Sequence, residues 1–189
     1  DVWIRDLASG KTQALTTDGE AKFDYMSAVG ADRDVALWSA DSKKIFVSRV
    51  DKREGRIQPI VNYLPSEGVQ PALLKQSRAV VGDDHLPAHH LVVIDIDTGT
   101  LQQVDWSPIP ARSYGINIEG FLTVGLGWWS ADNTCVFFVD RDRDEKTLRV
   151  VEWNVETASA RILFEEKDDI VVRLCHHVHG DYPLIRPLA

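Results

Sequence analysis

The chain has 189 residues, of which 44% are hydrophobic and 26% charged, enough apolar material for a core. Its 29 acidic residues against 21 basic ones give a formal net charge of −8, and the Lys and Arg are scattered, which excludes nucleic acid and other polyphosphates as partners. No apolar run approaches the roughly 18 residues that a bilayer-spanning helix needs, no signal-peptide pattern opens the chain, and the compartment stays open.

In chain order, residues 1–17 hold two short strands around an Asp6-x-x-x-Gly10 turn, and 18–34 carry glycines and charges with no sustained period, the pattern of a crossing loop. Val35 to Trp38 and Ile45 to Val50 flank a polar four-residue turn and predict a β-hairpin. A long insertion follows over 52–90. It opens on the charged run Lys52 to Arg56, continues through apolar Ile57 to Leu64, carries Pro65, Pro71 and Pro87, and ends in His89 and His90. Ordinary connections are about 4 to 6 residues, so an insertion this long is expected to have a task, and an arm is one. The nearly unbroken apolar run Leu91 to Ile96 suits a strand covered on both faces. Trp106 to Pro110 closes that unit. A second hairpin follows at Trp128 to Asp142, then a strand pair over Leu148 to Phe164, an acidic turn at Glu165 to Asp169, and one more strand beginning at Ile170.

Two phrases repeat in step. Leu37-Trp-Ser-Ala-Asp returns as Trp128-Trp-Ser-Ala-Asp, so that Trp38, Ser39, Asp41 and Phe46 stand one constant offset from Trp129, Ser130, Asp132 and Phe137 (129 − 38 = 91). Val2 to Thr16 matches Leu91 to Asp105 with Asp6/Gly10 and Asp95/Gly99 in the same places, and Leu148 to Leu163 is a degraded copy with Asn154 and Ala158 there. Repeats of four short strands with Gly or Asp turns predict an all-β fold, a partial β-propeller. The expected count is about two complete four-stranded blades, 35–106 with its insertion and 116–165, plus a fragment at each end, 1–17 and 170–189. Closed propellers have roughly four to eight blades, so this is about half of one.

With those residues in hand, the chain resembles the N-terminal propeller of the dipeptidyl peptidase IV family, in the prolyl oligopeptidase clan (S9) of serine peptidases. The resemblance rests on the D-x-x-x-G-x-x-x-x-L-T opening at Asp6 to Thr16, the W-S-x-D-S-K-K-I hairpin at Trp38 to Ile45, and the Pro-bearing insertion that ends in Leu86-Pro87. It implies a two-part enzyme in which a propeller gates and positions peptides for an α/β-hydrolase domain. That hydrolase domain is not within these residues: no G-x-S-x-G nucleophile elbow occurs in them. The family's pair of glutamates for a peptide's free ammonium would follow the tyrosine that aligns with Tyr25. Met26, Ser27 and Ala28 stand there instead, leaving Asp24 or Glu20 as substitutes. The resemblance also implies a homodimer in which the arm, Asn62 to Pro87, reaches a second subunit. The competing reading is a stand-alone propeller that scaffolds a protein or binds a glycan.

No residue here is expected to be catalytic or to hold a cofactor or metal. Cys135 and Cys175 lack C-x-x-C spacing and fall in apolar strands, as buried thiols do. His176, His177 and His179 lack a matching carboxylate or thiol, while His85, His89 and His90 lie in another segment. Trp38, Trp128 and Trp129 occupy repeat positions and are expected to pack between blades rather than stack on sugars. The runs Asp51-Lys52-Arg53-Glu54 and Arg141 to Glu145 read as solvated hairpin tips.

Overall fold

The computed structural model describes residues 1–25, 36–77, 80–110 and 127–172. Every regular element among them is a strand, and the described chain is an open, partial β-propeller. β1 (Trp3–Arg5) and β2 (Thr12–Ala14) form a two-stranded ribbon. The first large sheet centres on β5 (Lys44–Asp51) and β8 (Ala88–Asp95), antiparallel over their whole length from Lys44↔Asp95 to Asp51↔Ala88. The inner strand β4 (Ala36–Trp38) pairs with β5, as does β3 (Phe23–Asp24), while β9 (Leu101–Gln103) and β10 (Ile109–Pro110) pair with β8. The second large sheet is the meander β11 (Gly127–Trp129), β12 (Cys135–Arg141), β13 (Thr147–Asn154) and β14 (Ser159–Lys167).

The core lies on both faces of the first sheet. Alternation sends Phe46, Leu91 and Val93 toward the second sheet, where they meet Val136, Phe138, Val151 and Trp153. Ile45, Val47, Val92 and Ile94 point the other way, onto Leu15, Tyr25 and the ribbon's Val2 and Ile4. Burial on both sides is why β8 reads as a continuous apolar run. The strand nevertheless starts at Ala88, ahead of that run, because His89 and His90 keep the ladder with Val50 and Arg49 despite their polar rings.

The repeats are repeats of turn chemistry. Ser39 Oγ bonds Asp41 Oδ1 at 2.6 Å and accepts from Lys44 N, and Ser130 does the same with Asp132 and Cys135 N. The accepted hydrogen bonds hold both aspartates below the usual carboxylate range, Asp132 at about 2. In the second phrase, Asp6, Asp95 and Asn154 each accept a backbone N–H three residues on, from Ser9, Thr98 and Thr157. Gly10, Gly99 and Ala158 then take the left-handed conformation, at φ of 72°, 69° and 53°.

The two large sheets are tied where they meet. Trp129 Nε1 donates to Leu37 O at 3.1 Å, Ala40 N donates to Asn133 Oδ1 at 2.8 Å, and the Trp106 ring lies edge-on to Phe138 at 5.9 Å. Trp128 stacks on Phe137, so both tryptophans pack against neighbouring strands, while Trp38 is half exposed. Cys135 is half-buried beside Thr134 and Asn154 rather than fully buried; Cys175 lies outside the described residues.

Within the insertion, 57–77 folds as a hairpin, β6 (Ile57–Asn62) against β7 (Ala72–Ser77), in register from Ile57↔Ser77 to Asn62↔Ala72. Pro59 is tolerated because a two-stranded ribbon leaves one side of each strand unpaired. The hairpin is a separate sheet, and neither hydrophobic cluster contains one of its residues.

Candidate functional site

The end of the first sheet at which β5 leaves for the insertion and β8 returns from it is polar, and its arrangement follows from register. Arg49, Asp51 and Arg53 follow one another at period two, and Phe23 on β3 lies opposite Asp51. The Phe23 ring is therefore flanked by two guanidiniums, with the carbon of Arg49 at 3.7 Å and that of Arg53 at 4.4 Å from the ring centroid. His90, opposite Arg49, meets the same ring edge-on at 5.4 Å.

Each guanidinium has a carboxylate. Arg53 takes Asp51 in a two-pronged pair at 3.0 and 2.6 Å, which holds the Asp51 carboxyl below its ordinary range. Arg49 pairs with Asp18 at 2.8 Å and also donates to the Asp18 carbonyl. Lys52 pairs with Asp24 at 3.1 Å. The Tyr25 hydroxyl donates to Asp18 Oδ1, and burial together with that carboxylate holds it protonated far above the ordinary tyrosine range.

Two histidines occupy adjacent positions with opposite outlooks. His90 is partly buried, and burial with the nearby Arg49 and Arg53 lowers its pKa against the pull of Asp51. His89 points to the seam between the sheets and is 1% exposed. Its Nδ1 lies 3.1 Å from Ser48 Oγ, and its Nε2 meets no partner. Burial, with smaller contributions from His90 and Lys52, drives its pKa down to about 3, so it is neutral at physiological pH.

A groove of about 630 Å³ opens at this end, lined by Asp51 and His90 of the first sheet, Arg53, Glu54, Asp84, His85 and Leu86 of the insertion, Pro108 and Pro110, and Arg143 from the β12–β13 turn. Its walls alternate sign, with Arg53 beside Asp51 and the His85 ring 2.9 Å from Glu54. Such a lining offers charged and polar groups of both signs along its length.

The two charge runs are thus not merely solvated tips. Arg141 is buried and pairs with Glu145 at 2.7 Å, Arg143 donates to the Asp83 carbonyl, and Asp51, Arg53 and Glu54 form one wall of the groove. Local sequence could not show this, because the partners are up to 60 residues apart. Met26, Ser27 and Ala28, like His176, His177 and His179, lie outside the described residues. Glu20 and Asp24 sit beside the Phe23 stack, through the Glu20–Phe23 bridge and the Lys52 pair. Among the described residues no three His, Cys, Asp or Glu converge as a metal cage, and no helix is long and apolar enough to cross a membrane.

The fold is that of an open, partial β-propeller with a polar groove at one end of its first sheet. The family model described as the dipeptidyl peptidase IV N-terminal region matches residues 1–181, and the chain belongs to that family. Among solved structures it is similar to a protein of Bacteroides ovatus described as a dipeptidyl aminopeptidase IV, at 14% identity and a TM-score of 0.62, covering 91% of this chain and 25% of that one. It is also similar to dipeptidyl peptidase 4 of Porphyromonas gingivalis, at 13% identity and a TM-score of 0.60, covering 88% and 23%. The chain thus spans about a quarter of the length of these two structures, and at these identities the likeness is one of fold. No curated protein sequence matches it.

Proposed function

We propose that this chain is the non-catalytic propeller portion of a dipeptidyl peptidase IV-like serine peptidase, which gates and positions peptide substrates, and that the β6–β7 hairpin docks on a second copy. The family match over residues 1–181 carries the first part. The groove beside Phe23 supports peptide positioning, because its paired charges and proline walls complement an extended chain. The hairpin's surface supports the second part: Leu64 and Val69 are 90% and 93% exposed and Leu73 is 61% exposed, more apolar surface than a solvated loop keeps.

With Met26, Ser27 and Ala28 at the positions of the family's acidic pair, no glutamate of that pair selects for a free amine. In the protein that carries this chain, an N-acetylated peptide is therefore cleaved at a rate within a few-fold of its free counterpart. Parallel rates on the two peptides test this, and labelling by a serine-directed fluorophosphonate tests the peptidase reading itself. A protein that neither takes the probe nor cleaves either peptide removes that reading. A preference for the free amine above about tenfold, equivalent to about 1.4 kcal/mol, shows instead that another carboxylate binds it.

A further inference from the structure

Among the described residues of 52–87 none belongs to either hydrophobic cluster, and the buried apolar residue there, Pro87, adjoins β8 rather than the hairpin. The direction of the β6–β7 hairpin must be set by something else, and one buried residue gathers the available contacts. Asp83 is 7% exposed although it lies in the loop that returns from the hairpin. Its carboxylate accepts from Arg56 Nη2 at 2.6 Å and from Val80 N at 2.8 Å, and its carbonyl accepts from Arg143 Nη2. Arg56 immediately precedes β6, Val80 is in the returning loop, and Arg143 belongs to the second sheet. Asp83 N also donates to Val80 O at 3.1 Å, closing a turn whose third residue, Gly82, has a φ of 91° that a side chain would strain.

We propose that Asp83 is the positioning residue of the arm, a clamp that locks both roots of the hairpin to each other and, through Arg143, to the second sheet. A buried carboxylate with two donors, its own carbonyl taking a third, holds geometry better than an exposed pair. The other link across the roots, His85 with Glu54, is exposed on both sides and adds little. The clamp rests on these contacts alone. That the fixed direction serves docking on a second copy rests on the proposed function.

Distances between spin labels test the clamp. Labels are placed at Val69→Cys and Glu156→Cys in a Cys135→Ser, Cys175→Ser background, and labelled protein is diluted with unlabelled protein so that only distances within one chain are read. The native protein gives one narrow distribution. Asp83→Ala at least doubles its width, Arg143→Gln broadens it partly, and Arg143→Lys, which still donates to a carbonyl, restores it. The near-ultraviolet signal of the tryptophans stays native throughout. Unchanged widths in Asp83→Ala and Arg143→Gln overturn the clamp. If Asp83→Ala does not fold, Arg143→Gln decides, because it leaves the returning loop intact. A dimer that survives arm removal while Asp83→Ala still broadens the distribution removes the docking reading and leaves the clamp standing.

Discussion

His89 shows how one ring couples this fold to pH. In an unfolded chain it titrates near the ordinary 6.5, whereas in the seam its pKa is about 3, so unfolding takes up a proton wherever the pH lies between the two. The stabilisation is fully present above pH 6.5 and is lost as the pH falls toward 3. Between pH 7 and pH 5 the loss is about 2 kcal/mol. Urea midpoints across that range should therefore fall less steeply for His89→Leu than for the native protein, with the variant the more stable at pH 5. Parallel curves would mean that water reaches His89 in the folded state. The sequence showed His89 and His90 only as the end of an insertion. Their separate roles came from strand alternation, which turns His89 into the seam and His90 onto Phe23, and that depends on a strand start the apolar run does not mark.

Among the elements, the β13–β14 turn was legible as a worn copy of the Asp-x-x-x-Gly phrase, and the structure explains the wear. Asn154 Oδ1 accepts the bond that Asp6 and Asp95 accept, so that change leaves the turn's chemistry in place. Ala158 is different: at a φ of 53° its Cβ crowds the backbone, which glycine would avoid. Ala158→Gly should stabilise the fold by about 0.5–1 kcal/mol, the relieved strain exceeding the added entropy of the unfolded chain. A thermal or urea midpoint would register it, and a lower midpoint would show that the turn has no strain to relieve. The β6–β7 hairpin was less legible. Its connection, 63–71, lacks a two-residue Asn-Gly or Asp-Gly signal, and its prolines speak against strand, so the apolar stretch from Ile57 was visible but not its partner.

For the whole molecule, the sequence repeats disclosed the propeller because each unit repeats its turn chemistry, while the polar end stayed hidden because several of its contacts, such as Phe23 with Arg49 and Asp83 with Arg143, join residues far apart in the chain. The arm offers the test at this scale. Replacing Asn62 to Pro87 with a short Gly/Ser linker should convert a dimer to a monomer by light scattering, since burying half of its exposed apolar side chains would contribute several kcal/mol, on the order of 25 cal/mol per Å². An unchanged mass would place the subunit contact elsewhere. The replacement also removes Asp83, so a shorter one confined to 63–71, which spares Asp83 and both strands, shows whether the hairpin tip itself makes the contact.

The long excursion between β5 and β8 also sets an order of assembly. The second sheet is joined by segments of only 5, 5 and 4 residues (130–134, 142–146 and 155–158), whereas β5 and β8 must close across 36 (52–87). With closure entropy rising as (3/2)RT ln n, the longer loop costs roughly 1.7 kcal/mol more, so the meander should form first and the first sheet should complete on it. Early pairing of β6 with β7 would short-circuit most of that loop, making the hairpin a kinetic bridge for the sheet from which it projects.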